Sequence, residues 1–237
     1  MIAKYEDPWE AFRRFVALVL RQPDRDEPRL QLANWLERTG RDPAMAEFIR
    51  LDIAYWRAVT DYSPSGDSAE HIAALKEKRD LLLDKHVKRW REPLYKVVGA
   101  NRNISFCTRR GLIGSVSTAG GEAAQRVILQ ADDLLALAPI ESLCLGDSPE
   151  SERESFSVSG NLTIKALTRT KLFGALKSLE LTARWIGEAG AAALLEAVPP
   201  PRLLFLTLPN SDIGCCMEQR LRQWHPKCWI SFDCGIS

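Results

Sequence analysis

The sequence predicts an α/β protein: a helical module over residues 1–98, then a short solenoid of strand–turn–helix repeats with a parallel sheet over 99–237. Two observations carry this. In LKSLELTARWIGEAGAAALLEAVPPPRLLFLTLPNSDIG, residues 176–214, Leu176, Leu179, Leu181, Ile186 and Gly187 recur 27 positions later as Leu203, Leu206, Leu208, Ile213 and Gly214. That period lies in the range of leucine-rich repeats, whose unit is a short strand, a turn and a helix. One unit cannot bury its own leucines, so neighbouring units must stack to cover them. The second observation is that the first hundred residues space their apolar side chains at three and four, the helical period.

Bulk composition narrows the function classes. A chain of 237 residues with 46% apolar residues can bury a sizeable core. A formal charge of +1 gives no long-range pull on nucleic acid or an anionic membrane. MIAKYEDPWEAF carries early acids and no uninterrupted apolar stretch, so it does not read as a secretory signal. No run approaches the ~20 apolar residues of a membrane span. Six cysteines without regular spacing read as reduced thiols. The expectation is a soluble, cytoplasmic protein with no cofactor, and with neither nucleic acid nor membrane as partner.

The elements follow in order. Residues 8–21 put Trp9, Phe12, Phe15, Val16, Val19 and Leu20 on one helical face, with Pro8 suited to the first turn. QPDRDEP breaks that helix. Residues 27–39 form a second through Leu30, Leu32, Ala33, Trp35 and Leu36, closed by Gly40. A third carries Phe48, Ile49, Leu51, Ile53 and Trp56. DYSPSGDS, 61–68, is a loop by composition, and a charged helix is expected from about Ala69 to Trp90. Residues 103–118 alternate at period two around Arg109–Gly111, the pattern of a hairpin. One helix is expected over Glu122–Ala138. IESLCLGDS then gives a third copy of the repeat signature through Ile140, Leu143 and Leu145. The serine-rich acidic stretch 146–160 is expected as a loop, 161–173 as a helix, and Cys215–Trp224 with CWISF as a capping unit.

QPDRDEPRLQLANWLERTGRDPAMAEFIRLD resembles the repeat-companion domain that precedes repeats in a family of bacterial leucine-rich-repeat proteins with ribonuclease-inhibitor-like repeats. Arg29, Leu30, Ala33, Trp35, Leu36, Glu37 and Gly40 match the first part of its pattern. Ala46, Glu47, Phe48, Ile49, Arg50 and Leu51 match the second, while Asn34 stands where aspartate is usual and Asp52 where glutamine is common. The stretch Phe106–Gly111, which reads F-x-x-R-R-G here, is similar to the F-x-R-R-G segment bridging module and repeats in that family, with one residue more after the phenylalanine. The resemblance implies the fold and a bacterial source. It assigns no biochemistry to the module.

Candidate chemistry is sparse. Cys215, Cys216, His225, Cys228 and Cys234 are proper zinc ligands by type, and His225-x-x-Cys228 is short enough to clamp one ion. Yet no C-x-x-C pair occurs, and cysteine in a capping unit behaves as a small hydrophobe, so no metal is expected. His71 and His86 sit on a charged helix, and no nucleophile elbow or phosphate-cradling loop is present. Arg109 and Arg110 beside Gly111 have the charge for a phosphate, but exposed turns are commonly basic. Glu150, Glu152 and Glu154 fall in the serine-rich stretch, where water stabilises them. No catalytic residue is assigned.

What remains is a surface. Between the inward leucines, alternation places Ser142, Cys144 and Gly146, then Ser178, Glu180 and Thr182, on the concave sheet face. Phe205, Thr207 and Pro209 follow, and Trp229, Ser231 and Asp233 end the series. Two aromatics among small polar residues suit an anchor and rim for a protein partner, unless Phe205 and Trp229 are core. The expected function is a non-enzymatic protein-binding module, an adaptor or regulatory subunit. Its alternatives are an inhibitor or immunity-type partner of an enzyme, and a small metal- or thiol-dependent enzyme using the Cys215–Cys234 cluster.

Overall fold

The computed structural model describes residues 7–60, 67–146, 156–181, 186–208 and 213–232. Among them are ten helices and a six-stranded, mostly parallel sheet in the order β1-β2-β3-β4-β5-β6. The described residues fall into two units. One holds the helices up to Leu94, the turn segment Thr108–Gly114 and Ala136–Pro139; the other holds the rest of the sheet and its helices.

In the first unit, α1 (Pro8–Arg21) starts on Asp7, whose carboxylate accepts the Trp9 N–H at 3.0 Å. α2 (Glu27–Arg38) and α3 (Pro43–Thr60) follow. Val19, Leu32, Ala33, Leu36, Ala46, Ile49 and Ile53 pack together, and Leu112 joins them. Asp42 opens α3 by accepting the Met45 N–H at 3.0 Å, and its other oxygen takes the Trp90 indole N–H at 3.0 Å. The Trp90 ring lies 5.0 Å from Phe48.

The charged helix runs further than its sequence suggests. α4 covers Asp67–Val98, so it takes in the last two residues of the expected loop 61–68, whose residues 61–66 lie outside the described ones, and it passes through Pro93. A proline this close to a helix end removes one hydrogen bond, and the buried i, i+4, i+8 row Trp90, Leu94 and Val98 repeats at the helical period beyond it.

β1 (Ile104–Arg109) and β2 (Leu112–Ala119) flank a two-residue turn, Arg110–Gly111, which can only reverse the chain. Both turn residues have positive φ, 52° and 85°. Two buried carboxylates of the helices hold this turn. Asp26 pairs with Arg110 and with Arg57, the latter at 2.8 Å. Asp52, 1% exposed, accepts the Gly111 N–H at 2.5 Å and pairs with Arg79 at 3.2 Å. Burial pushes the Asp52 carboxyl above the usual carboxylate range, while that N–H and guanidinium pull the other way. Arg110 also donates to the carbonyls of Pro23 and Asp24. Its guanidinium is thus taken up inside the unit rather than held out on an exposed turn.

In the second unit, β3 (Ser142–Gly146), β4 (Ser178–Leu181), β5 (Phe205–Thr207) and β6 (Trp229–Ser231) continue the sheet from β2, all parallel. The register aligns the repeat: Val116, Leu143, Leu179, Leu206 and Ile230 lie across from one another, all buried. Between strands come α5 (Gly121–Leu129), α6 (Ala131–Leu137), α7 (Phe156–Leu167), α8 (Lys171–Ala175), α9 (Glu188–Glu196) and α10 (Cys215–Trp224). α5 neighbours α7, α7 neighbours α9, and α9 neighbours α10, so helices advance in the same order as strands. The single helix expected over 122–138 is two, parted at Gln130, whose N–H still bonds Arg126 while its carbonyl opens α6. Of the loop expected over 146–160, residues 147–155 lie outside the described residues, while Gly146 ends β3 and α7 already begins at Phe156; the helix expected over 161–173 is parted at Thr170, which caps α8 by accepting the Phe173 N–H. Among the described residues no helix is long and apolar enough to cross a membrane.

Candidate sheet-face binding site

With the leucines turned inward, the alternate residues of β2–β6 form two rows across the outer face. Ser115, Ser142, Ser178, Phe205 and Trp229 make the first; Ser117, Cys144, Glu180, Thr207 and Ser231 the second. Adjacent members sit about 4.8 Å apart, the strand spacing. Of the residues expected on this face, Ser178, Glu180, Phe205, Thr207, Trp229 and Ser231 are brought together. Thr182 and Asp233 lie outside the described residues, as does Pro209. Gly146 is buried, with its carbonyl accepting the Gly120 N–H at 2.6 Å, so it offers no open surface.

The rows reach one strand further than the repeat signature indicated. β2 contributes Ser115 and Ser117, both half-buried between buried Val116 and Thr118. The signal was the alternation of 112–118 itself, since a strand laid beside β3 must present its serines on the same side.

Phe205 and Trp229 are 52% and 72% exposed, so neither is a core residue. They occupy one row on adjacent strands, at the end of the sheet where the small serines give out. A large aromatic left in water carries unfavourable hydration that contact with a partner relieves.

Cys144 lies between Ser117 and Glu180 in the second row. Burial pushes its thiol up to about 11, and the adjacent Glu180 carboxylate pushes the same way; a hydrogen bond with Ser117 acts against both. A nucleophilic cysteine needs the reverse, a cationic neighbour that favours thiolate. Burial likewise pushes the Cys228 thiol up to about 11, against a backbone hydrogen bond from Leu206. At pH 7.5 each should be thiolate only about one part in three thousand. Iodoacetamide at that pH should therefore label the exposed Cys107, Cys215 and Cys216 first, with Cys144 and Cys228 gaining speed only as pH climbs toward 11. Peptide mass spectrometry over time reads this directly, and labelling of Cys144 as fast as Cys107 would contradict it.

The described members of the cysteine–histidine cluster lie on more than one element. Cys215 and Cys216 are exposed on the first turn of α10, whereas Cys228 precedes β6; Cys234 lies outside the described residues. His225 is buried, its Nε2 2.9 Å from the Pro200 carbonyl oxygen. A carbonyl only accepts, so Nε2 carries the proton and donates, leaving no lone pair there for a metal. Among the described residues no group of three or more His, Cys, Asp or Glu is placed to hold an ion.

A feature unforeseen from sequence borders the site. Lys177 Nζ lies 2.9 Å from Glu141 Oε2, with the two side chains 11% and 4% exposed. The two residues hold the same place in successive copies, Ile140-Glu-Ser-Leu and Leu176-Lys-Ser-Leu. Equal places become neighbours in a parallel stack, and opposite charges there were the available signal. Compared with protein-family models, curated proteins and solved structures, the chain has no match.

Proposed function

We propose that this chain is a non-enzymatic protein-binding module, an adaptor or regulatory subunit, whose β3–β6 region is a degenerate leucine-rich-repeat solenoid behind a repeat-companion module of the bacterial kind. The observation that carries this is the in-register pair of exposed aromatics, Phe205 and Trp229, continuing two rows of small polar side chains. Aromatic residues are enriched at protein interface centres and among hot spots, and the small hydroxyls beside them suit the polar surround of such an anchor. The in-register leucines and the parallel advance of strands and helices support the solenoid reading. The neutral balance of charge supports a protein partner over nucleic acid or membrane, and reduced, scattered cysteines support a cytoplasmic location.

Phe205→Ala and Trp229→Ala are the test. Because both side chains are largely exposed, each truncation should leave the melting temperature within a degree or two. Loss of an interface hot spot typically costs about 2 kcal/mol or more, some thirtyfold in affinity. Proteins captured from native cells by the wild-type chain and lost with the folded double variant would identify the partner. Equal capture by both would move the site off this face.

A further inference from the structure

From the charge pattern of the two rows we infer that the partner presents a basic–apolar segment: a lysine or arginine that meets Glu180, and a large apolar side chain that covers Phe205 and Trp229. This rests on the reading of the sheet face as a docking surface, and adds what docks there.

Ten side chains make up the rows, and Glu180 is the one that carries charge at neutral pH; the rest are serines, a threonine, two aromatics and a protonated thiol. Glu180 is exposed on β4 and has no ion pair among the described residues. Among the described residues of these rows a single carboxylate stands with no lysine or arginine, which gives them a negative potential that favours a cation and disfavours an acid. Phe205 and Trp229 act in the same sense, because the faces of aromatic rings attract cations while their area rewards apolar contact.

The register sets the spacing. Glu180 lies one row from the aromatics and one strand from Phe205 or two from Trp229. With about 3.3 Å per residue along a strand and about 4.8 Å between strands, the carboxylate position stands roughly 8–12 Å from the aromatic positions. In an extended segment, side chains on one side recur about every 6.7 Å. A cation and an apolar anchor two to four residues apart therefore span the distance.

Selection of random 12-residue displayed peptides on the full-length chain tests this. Wild type should enrich peptides pairing Lys or Arg with Leu, Ile, Phe, Trp or Tyr at that spacing, and Trp229→Ala should lose them. Glu180→Lys should switch the enriched charge to Asp or Glu. For one enriched synthetic peptide, fluorescence anisotropy should show about three- to fivefold weaker binding to Glu180→Gln and more than tenfold weaker binding to Glu180→Lys, both differences shrinking in high salt. Peptides that need Trp229 yet show no basic bias, or keep it on Glu180→Lys, would overturn the inference and leave the docking face standing. Enrichment of no peptide dependent on Phe205 or Trp229 would overturn both.

Discussion

Replacing Gly111 with alanine should cost the helical unit about 3 kcal/mol, whereas Gly40→Ala should cost only about 1 kcal/mol. Both glycines have left-handed φ, +85° and +64°, so both substitutions carry the conformational penalty of a side chain in that region. They part company over space. A Cβ at Gly111 would stand 2.4 Å from Ile49 Cα and 2.9 Å from its Cβ, whereas one at Gly40 meets nothing within 4 Å. Ile49 is fully buried in α3 and its backbone cannot yield without moving Leu32, Leu36 and Ile53 with it. The displaced turn would also lengthen the Gly111 N–H to Asp52 bond, leaving a buried carboxylate short of a donor. At about 2–4 °C per kcal/mol for a chain of this length, the thermal midpoint should fall by roughly 6–12 °C. Equal melts for the two variants would mean that helix and turn are not packed as described.

How much of this was legible depends on the range of the cause. Leu143, Leu179 and Leu206 were readable because their burial follows from a local period, and the same period named Ser178, Glu180, Phe205 and Thr207 as their outward neighbours. The turn at Arg110–Gly111 was readable from alternation on either side of it. Its fastening was not. Asp26 and Arg110 are 84 positions apart, Asp52 and Gly111 are 59, and each charge taken alone looks like an ordinary solvated one. Only folding puts them in each other's reach.

Helix ends were lost for a related reason. Pro93 looks like a stop until Leu94 and Val98 are seen to be buried, and a buried row outweighs one missing hydrogen bond. The break at Gln130 has no glycine or proline to announce it. In the resemblance to the repeat-companion pattern, Asn34 in place of aspartate turned out to keep a carbonyl for Arg50, which it accepts at 2.8 Å while Glu37 pairs with Arg50 at 2.6 Å. The matching positions therefore include structural ties as well as core residues.

The buried pair Glu141–Lys177 should behave as a unit that is costly to halve and cheap to delete. Lys177→Met keeps the apolar stem and removes the ammonium, taking away the counter-charge 2.9 Å from the Glu141 carboxylate, which is 4% exposed. Glu141→Leu leaves the ammonium in the same position. Breaking a buried pair from one side typically destabilises by about 3–5 kcal/mol, because a desolvated charge loses its counter-charge. The double variant restores neutrality with side chains of similar volume and should lie near wild type, or above it, so the singles should be strongly non-additive. The main-chain ladder is not touched by either change. Glu141 O accepts the Lys177 N–H at 2.7 Å, and Lys177 O accepts the Leu204 N–H at 2.8 Å. These bonds set where β4 and β5 begin, immediately before Ser178 and Phe205. If the pair also holds that edge in place, the single variants should loosen the aromatic end of the face, and the double should bring it back. Urea unfolding of the four proteins, followed by hydrogen exchange at Ser178–Leu181 and Phe205–Thr207, measures both parts. Additive losses, with the double as unstable as the singles combined, would show that each side chain acts through contacts of its own rather than through the pair.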